Sequence, residues 1–214
     1  MAQYYYAVAA LPGVSLDSEP PWTIEGFLEF TREQLTPTDY QTLRGASLEP
    51  SEVADELGPL RDGSESTGNS TGDGAEPVSD ADAVAGSGAA LHWLRFERNL
   101  RNALIRVRTE DPNRQNAYLR SSDHIEDNYV HEIAREAHAA ANPLDAEHVL
   151  DRARYRFLDE LEVGHFFDID RLVVYYLKLQ LVTRRALQTA ENGRSVFEKR
   201  YDSVLDQMGA IQNL

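Results

Sequence analysis

The stretch DIDRLVVYYLKLQLVTRRALQTAENG, Asp168 to Gly193, holds the densest apolar run in the chain, and its reading decides the fold. From Leu172 to Val182 only Lys178 and Gln180 are strongly polar. A helix built on that run is apolar on almost every side and has to be covered all round, which predicts a central helix. Asp168 and Asp170 stand where carboxylates accept the orphan N–H groups of a first turn. Arg184 and Arg185 follow the run, and Gly193 offers a helix stop. Crossing hydrocarbon takes about 20 consecutive apolar residues. A run of eleven, flanked by Arg171, Arg184 and Arg185, predicts a buried core helix instead.

On either side of this run the chain reads as further helices. Upstream, Asn142-Pro143 breaks the chain before a helix that carries Leu144, Val149, Tyr155, Leu158 and Leu161 and ends near Gly164. Before it, Ser122 or Asp123 can cap a helix reaching about Ala141, with Ile125, Tyr129, Ile133 and Ala137 on its inner side. From Ala89 to about Arg108, Trp93, Phe96, Leu100, Leu104 and Val107 recur at helical spacing. Downstream, a last helix from about Ser195 to Met208 presents Val196, Tyr201, Val204 and Leu205.

The N-terminal part is built from shorter pieces. QYYYAVAALPGV is too short for periodicity to choose between a buried strand and the first turns of a helix, so residues 3–14 stay open. Thr23 offers an N-cap for a helix to about Leu35, with Ile24, Phe27, Leu28 and Leu35 as its stripe. Thr36-Pro37 starts another that Gly45 closes, and a third short helix is expected around Pro50 to Leu57. From Arg61 to Gly88 there are six glycines, five serines, no aromatic residue and an excess of acid. Such a segment buries too little apolar surface to offset its ordering entropy and is expected to be disordered. The prediction is therefore all-α: a small N-terminal helical part over residues 1–60, a disordered acidic linker over 61–88, and a helical bundle with a buried central helix over 89–214.

A chain of 214 residues suffices for one main core, and the absence of cysteine excludes disulfides, thiolate metal sites and thiol catalysis. The balance of 21 basic against 36 acidic residues, net −15, opposes the phosphate neutralisation that nucleic-acid binding needs. Only Lys178 and Lys199 are lysines, a pattern that fits either adaptation to high salt or an arginine-favouring codon usage. The opening lacks a basic region before its apolar residues, so no secretory signal is read and a cytoplasmic location is expected.

No GxxxxGK[ST], GxGxxG or GxSxG motif occurs. His131-Glu132 begins like a metalloprotease helix, but Arg135 stands where the second His belongs. Asp145 with His148 and Glu162 with His165 each place a carboxylate three residues before a His, the spacing of di-iron bundles. Both pairs lie on one helix about five turns apart, so they cannot share a metal. The helix from Ala89 also carries Arg95, Arg98, Arg101, Arg106 and Arg108. They read as a solvated face paired with local acids such as Glu97, or as a partner-docking stripe whose contact residues are Arg95, Arg98, Arg101 and Arg106.

YYYAVAALPG at Tyr4, FERNLRNALIRVR at Phe96, DAEHVLDRARYRFLDEL at Asp145 and FDIDRLVVYYLKLQLVTRR at Phe167, followed by ENG, resemble a family of small bacterial proteins encoded with V-type ATPase subunits. The resemblance covers most of the chain outside the linker. It implies a non-catalytic accessory protein of the complex, similar in role to the C/d group of V-type ATPase stalk proteins, in the central stalk between the rotor shaft and the membrane ring. It further implies a place peripheral to the inner membrane, with no catalytic residue, metal or cofactor. Members of the C/d group are larger and have a threefold helical repeat, which this chain lacks. Two other readings stand beside it. One is a free-standing helical metalloprotein using His148 or His165 for iron or manganese. The other is a transient regulatory adaptor of the ATPase that depends on the linker.

Overall fold

The computed structural model describes residues 4–48, 86–109, 111, 113, 115, 118–119, 128–188, 193–194, 197–198 and 200–201. Its main helices are α1 (Tyr4–Ala9), α2 (Ile24–Gln34), α3 (Pro37–Gly45), α4 (Gly88–Arg108), α5 (Asn128–Ala139), α6 (Pro143–Glu162) and α7 (Ile169–Leu187). No strand occurs among the described residues, and the fold is all-α.

The helix starts follow from local chemistry. Thr23 Oγ1 accepts the Gly26 N–H at 3.0 Å, Thr36 Oγ1 that of Asp39 at 3.2 Å, and Asp168 Oδ1 that of Arg171 at 2.9 Å. Asn142 does the same for Asp145 at 2.9 Å, with Pro143 in the first helical position. Each side-chain acceptor replaces one of the helix's missing partners. Beyond the end of α6, Gly164 has φ +92, in the region glycine enters without a Cβ penalty, and the chain turns back into α7.

Helices α4, α5, α6 and α7 form a ring in which each packs on the next and α7 closes back on α4. The outer side of α7 is covered by α1, α2 and α3, so this one helix touches five others. Leu172 to Leu179 are buried without interruption, and Leu181 and Val182 follow. That is why the run has no polar face. Its two polar residues are used across element boundaries: Gln180 accepts the Leu48 N–H at 3.3 Å and donates to the Ala46 carbonyl at 3.0 Å, while Lys178 turns to α6. Phe27 of α2 packs on Tyr175 and Tyr176, with ring centroids 5.3 and 5.6 Å away. The Trp93 indole donates to the Ser47 carbonyl at 3.0 Å, and the Tyr155 hydroxyl to that of Val14 at 2.7 Å. Buried side chains from α1–α3 and from the ring accordingly belong to one apolar cluster.

The structure corrects several sequence expectations. Within residues 3–14, left open by the sequence, 4–9 are helical and 10–14 are not. The central helix ends at Leu187, and Gly193 does not stop it, being itself helical in the segment beyond. Ser87 and Gly88 are not linker. Ser87 is buried, caps α4 through the Ala90 N–H at 3.1 Å and donates to Asp170 at 2.5 Å, and that same carboxylate takes the Ala89 N–H at 3.0 Å. Gly86 is fixed by close approach, because a Cβ there would come 2.6 Å from the Thr42 hydroxyl. The rest of the expected linker, the helix at Pro50 to Leu57, residues 122–127, and Val196, Val204 and Leu205 lie outside the described residues. Of the apolar residues read on α6, Leu144 is exposed and Leu158 buried, and Leu150 and Ala153 are buried as well.

Tyr175 is buried and its hydroxyl has no hydrogen-bond partner. Burial pushes that hydroxyl up to about 12. Burial likewise raises Tyr155 and Tyr176. A raised hydroxyl keeps its proton in the folded state after the unfolded chain has begun to lose it. The contribution to stability is therefore complete below the unfolded value of 10 and drains away as pH climbs from 10 towards about 12. Tyr175→Phe should leave stability at pH 7 within about 1 kcal/mol of the parent, since it removes an unsatisfied buried donor. It should also shrink the alkaline loss, read by urea denaturation at pH 7, 10 and 11. An equal alkaline loss in both proteins would contradict the assignment.

Candidate functional site

Two places gather chemistry that the apolar core does not explain. The first lies inside the ring. Glu97 of α4 is fully buried and receives Arg154 of α6 through both oxygens, Nε to Oε1 at 2.5 Å and Nη2 to Oε2 at 3.3 Å. Arg154 Nη1 also reaches Asp151 Oδ1 at 3.4 Å, and that oxygen holds Arg184 of α7 as well. Glu97, Asp151, Arg154 and Arg184 thus join three helices with two positive and two negative charges. Burial alone would lower the Arg154 pKa; the charge and hydrogen bonds of Glu97, with Asp151 and Glu147 beyond, raise it instead. Arg101 stands 3.8 Å from Glu97 at the edge.

The second place is the end of the molecule where α6 turns into α7. An open cleft of about 640 Å³ is lined there by Val8, Glu162, His165, Phe166, Phe167 and Arg171, among others. Tyr5, Tyr6, Val163, Phe166 and Phe167 are each more than half exposed. Tyr5 bridges α1 to the turn, its ring 5.0 Å from that of Phe167 and 5.7 Å from that of Tyr6. Contiguous exposed apolar surface of this kind marks an interaction site more often than accident. Beneath it Lys178 is buried between Asp159, at 2.5 Å, and Glu162, with the Tyr155 ring 5.2 Å from its Nζ. Burial lowers the Lys178 pKa and Asp159 works against that shift. Glu162 also holds Arg171, whose pKa burial lowers.

The residues singled out in the sequence fall elsewhere. Arg95, Arg98 and Arg101 are half-buried while Arg106 and Arg108 are exposed, because the expected polar side of α4 also carries buried Leu94, Asn102 and Ala103. Arg106 Nη1 lies 3.5 Å from His131 Nε2, and Arg95 and Arg98 are engaged too. The four arginines therefore do not form one bare stripe. Glu97, expected on a solvated face, is interior. The two carboxylate–His pairs are separately employed. Asp145 completes the Asn142 cap, taking its side-chain amide at 2.7 Å, and Glu162 binds Lys178 and Arg171. His165 pairs with Asp168 at 2.7 Å and faces Asp170 at 3.7 Å. Among the described residues no group of three His, Cys, Asp or Glu is placed to hold a metal, and no helix is long and apolar enough to cross a membrane.

Both sites had partial signals in the sequence. Glu97 stands four residues after Trp93 and three before Leu100, in phase with the apolar stripe, and Asp151, Arg154 and Leu158 share that spacing in α6. An acid and a base at core positions of two helices are a pairing signal. Phe166-Phe167, between Gly164 and Asp168, is an aromatic pair in a helix turn, where no core requires it.

No protein-family model matches the chain, and no curated protein or solved structure matches it. The fold and the two sites define a helical bundle with an internal ion network and an exposed aromatic end.

Proposed function

We propose that this chain is a non-catalytic structural subunit of a V-type ATPase, seated in the central stalk and coupling the rotor shaft to the membrane ring. The observation that supports the reading most is mechanical. One helix, α7, is gripped on all sides by five others. It is locked to its neighbours by directional contacts as well as apolar ones: Lys178 and Arg184 to α6, Gln180 to the segment after α3, and Asp170 to the start of α4. A part that transmits torque needs helices that cannot slide on one another. Hydrogen-bonded charge pairs fix register in a way that apolar contact alone does not. One of the phrases that carry the resemblance, FDIDRLVVYYLKLQLVTRR, covers this gripped helix and its cap.

The test is a tagged pull-down from native cells at high ionic strength, with mass-spectrometric quantification of accompanying ATPase subunits. Catalytic and central-stalk subunits should be recovered in near-stoichiometric amounts. Recovery of none, from cells shown to contain the assembled ATPase, would sink the proposal.

A further inference from the structure

We infer that the aromatic cleft between α6 and α7 is a docking site for a cationic amphipathic helix contributed by another protein. The inference rests on reading the chain as a subunit that assembles with others. Its apolar part fits one helix face: Tyr5, Val163, Phe166 and Phe167 are exposed beside an open cleft, and side chains spaced three and four apart on a partner helix would fill it.

The sign of the partner's charge follows from the rim. Asp159, Glu160 and Glu162 stand in the last turn of α6, and Asp168 and Asp170 at the start of α7. Three cations stand against these five carboxylates and leave an excess of two negative charges. Lys178 and Arg171 turn onto Asp159 and Glu162, and Arg156 reaches Glu160 at 3.3 Å. A second copy of this chain would press the same acidic rim against itself, in a molecule that already carries net −15. An anionic membrane surface would be repelled in the same way. A helix with Lys or Arg beside its apolar anchors gains on both counts.

The experiment places a photo-crosslinking phenylalanine analogue at Phe166, and separately at Leu144 as an exposed control, in the full chain within native cells. The cross-linked peptides are then sequenced. At position 166 the expected product is a peptide from another protein that combines helical apolar periodicity with Lys or Arg, absent from the control. With the analogue moved to Val163, Phe166→Ser should lower the yield at least tenfold while the thermal midpoint stays unchanged. Cross-links to this chain itself, to lipid, to an acidic peptide, or to nothing would each overturn the inference. If the basic helical peptide comes from a protein outside any ATPase, the docking site stands and the ATPase proposal falls.

Discussion

Glu97→Ala is expected to lower the unfolding free energy by about 3–5 kcal/mol, the cost of leaving a buried charge without its partner. In a chain of this size that corresponds to a fall in thermal midpoint of roughly 10 °C. The reason is local arithmetic of charge. Glu97 and Asp151 together neutralise Arg154 and Arg184, and all four meet where α4, α6 and α7 converge. Without Glu97, Arg154 and Arg184 are left with Asp151 and, 3.9 Å from Arg154, the exposed Glu147, and Asp151 Oδ2 already has no hydrogen-bond partner. Glu97→Leu with Arg154→Leu should recover most of the loss, because a buried pair replaced by apolar side chains of similar size is often close to neutral. Thermal melts and urea titrations of parent, single and double variants check both claims. A single variant costing under about 1 kcal/mol would mean that the pair is not desolvated as the geometry has it. A double variant as damaged as the single would mean that the network supplies stability rather than register.

How far the sequence reveals this molecule depends on which residues interact locally. Caps act within four residues, so Thr23, Thr36 and Asp168 are legible as helix starts, and their hydrogen bonds are formed. The need to cover Leu172 to Val182 is legible as well, because composition states it before any partner is known. What is not legible is what covers it. The packing of α1–α3 on the outer side of α7 depends on contacts such as Gln180 with Ala46 and Trp93 with Ser47, between residues far apart in the chain with no shared pattern. The arginines of α4 mislead for a related reason. Helical spacing gives one apolar face, but α4 packs on more than one neighbour, so Leu94 and Ala103 are buried on the side that looks polar. Phe166 and Phe167 are legible as an aromatic pair beside Gly164, but their exposure shows only when the turn that carries them is seen to end the bundle.

Leu177→Ala should cost about 2–5 kcal/mol, as expected for a fully buried leucine whose surroundings relax only in part. Its sharper consequence concerns cooperativity. The chain has two tryptophans: Trp22 in the N-terminal layer, its ring 5.3 Å from that of Phe30, and Trp93 in the ring of α4–α7. Trp93→Phe leaves fluorescence reporting on the first layer, and Trp22→Phe leaves it reporting on the second. Because α7 is the wall shared by both, neither layer keeps its apolar face covered once this helix leaves. Each single-tryptophan protein should therefore show a fluorescence transition that coincides with its own far-UV circular dichroism transition. Adding Leu177→Ala should move both probes to lower urea together. If Trp22 kept its midpoint while Trp93 shifted, residues 4–48 would be a separate folding unit, and the view of α7 as the helix on which both layers depend would fail.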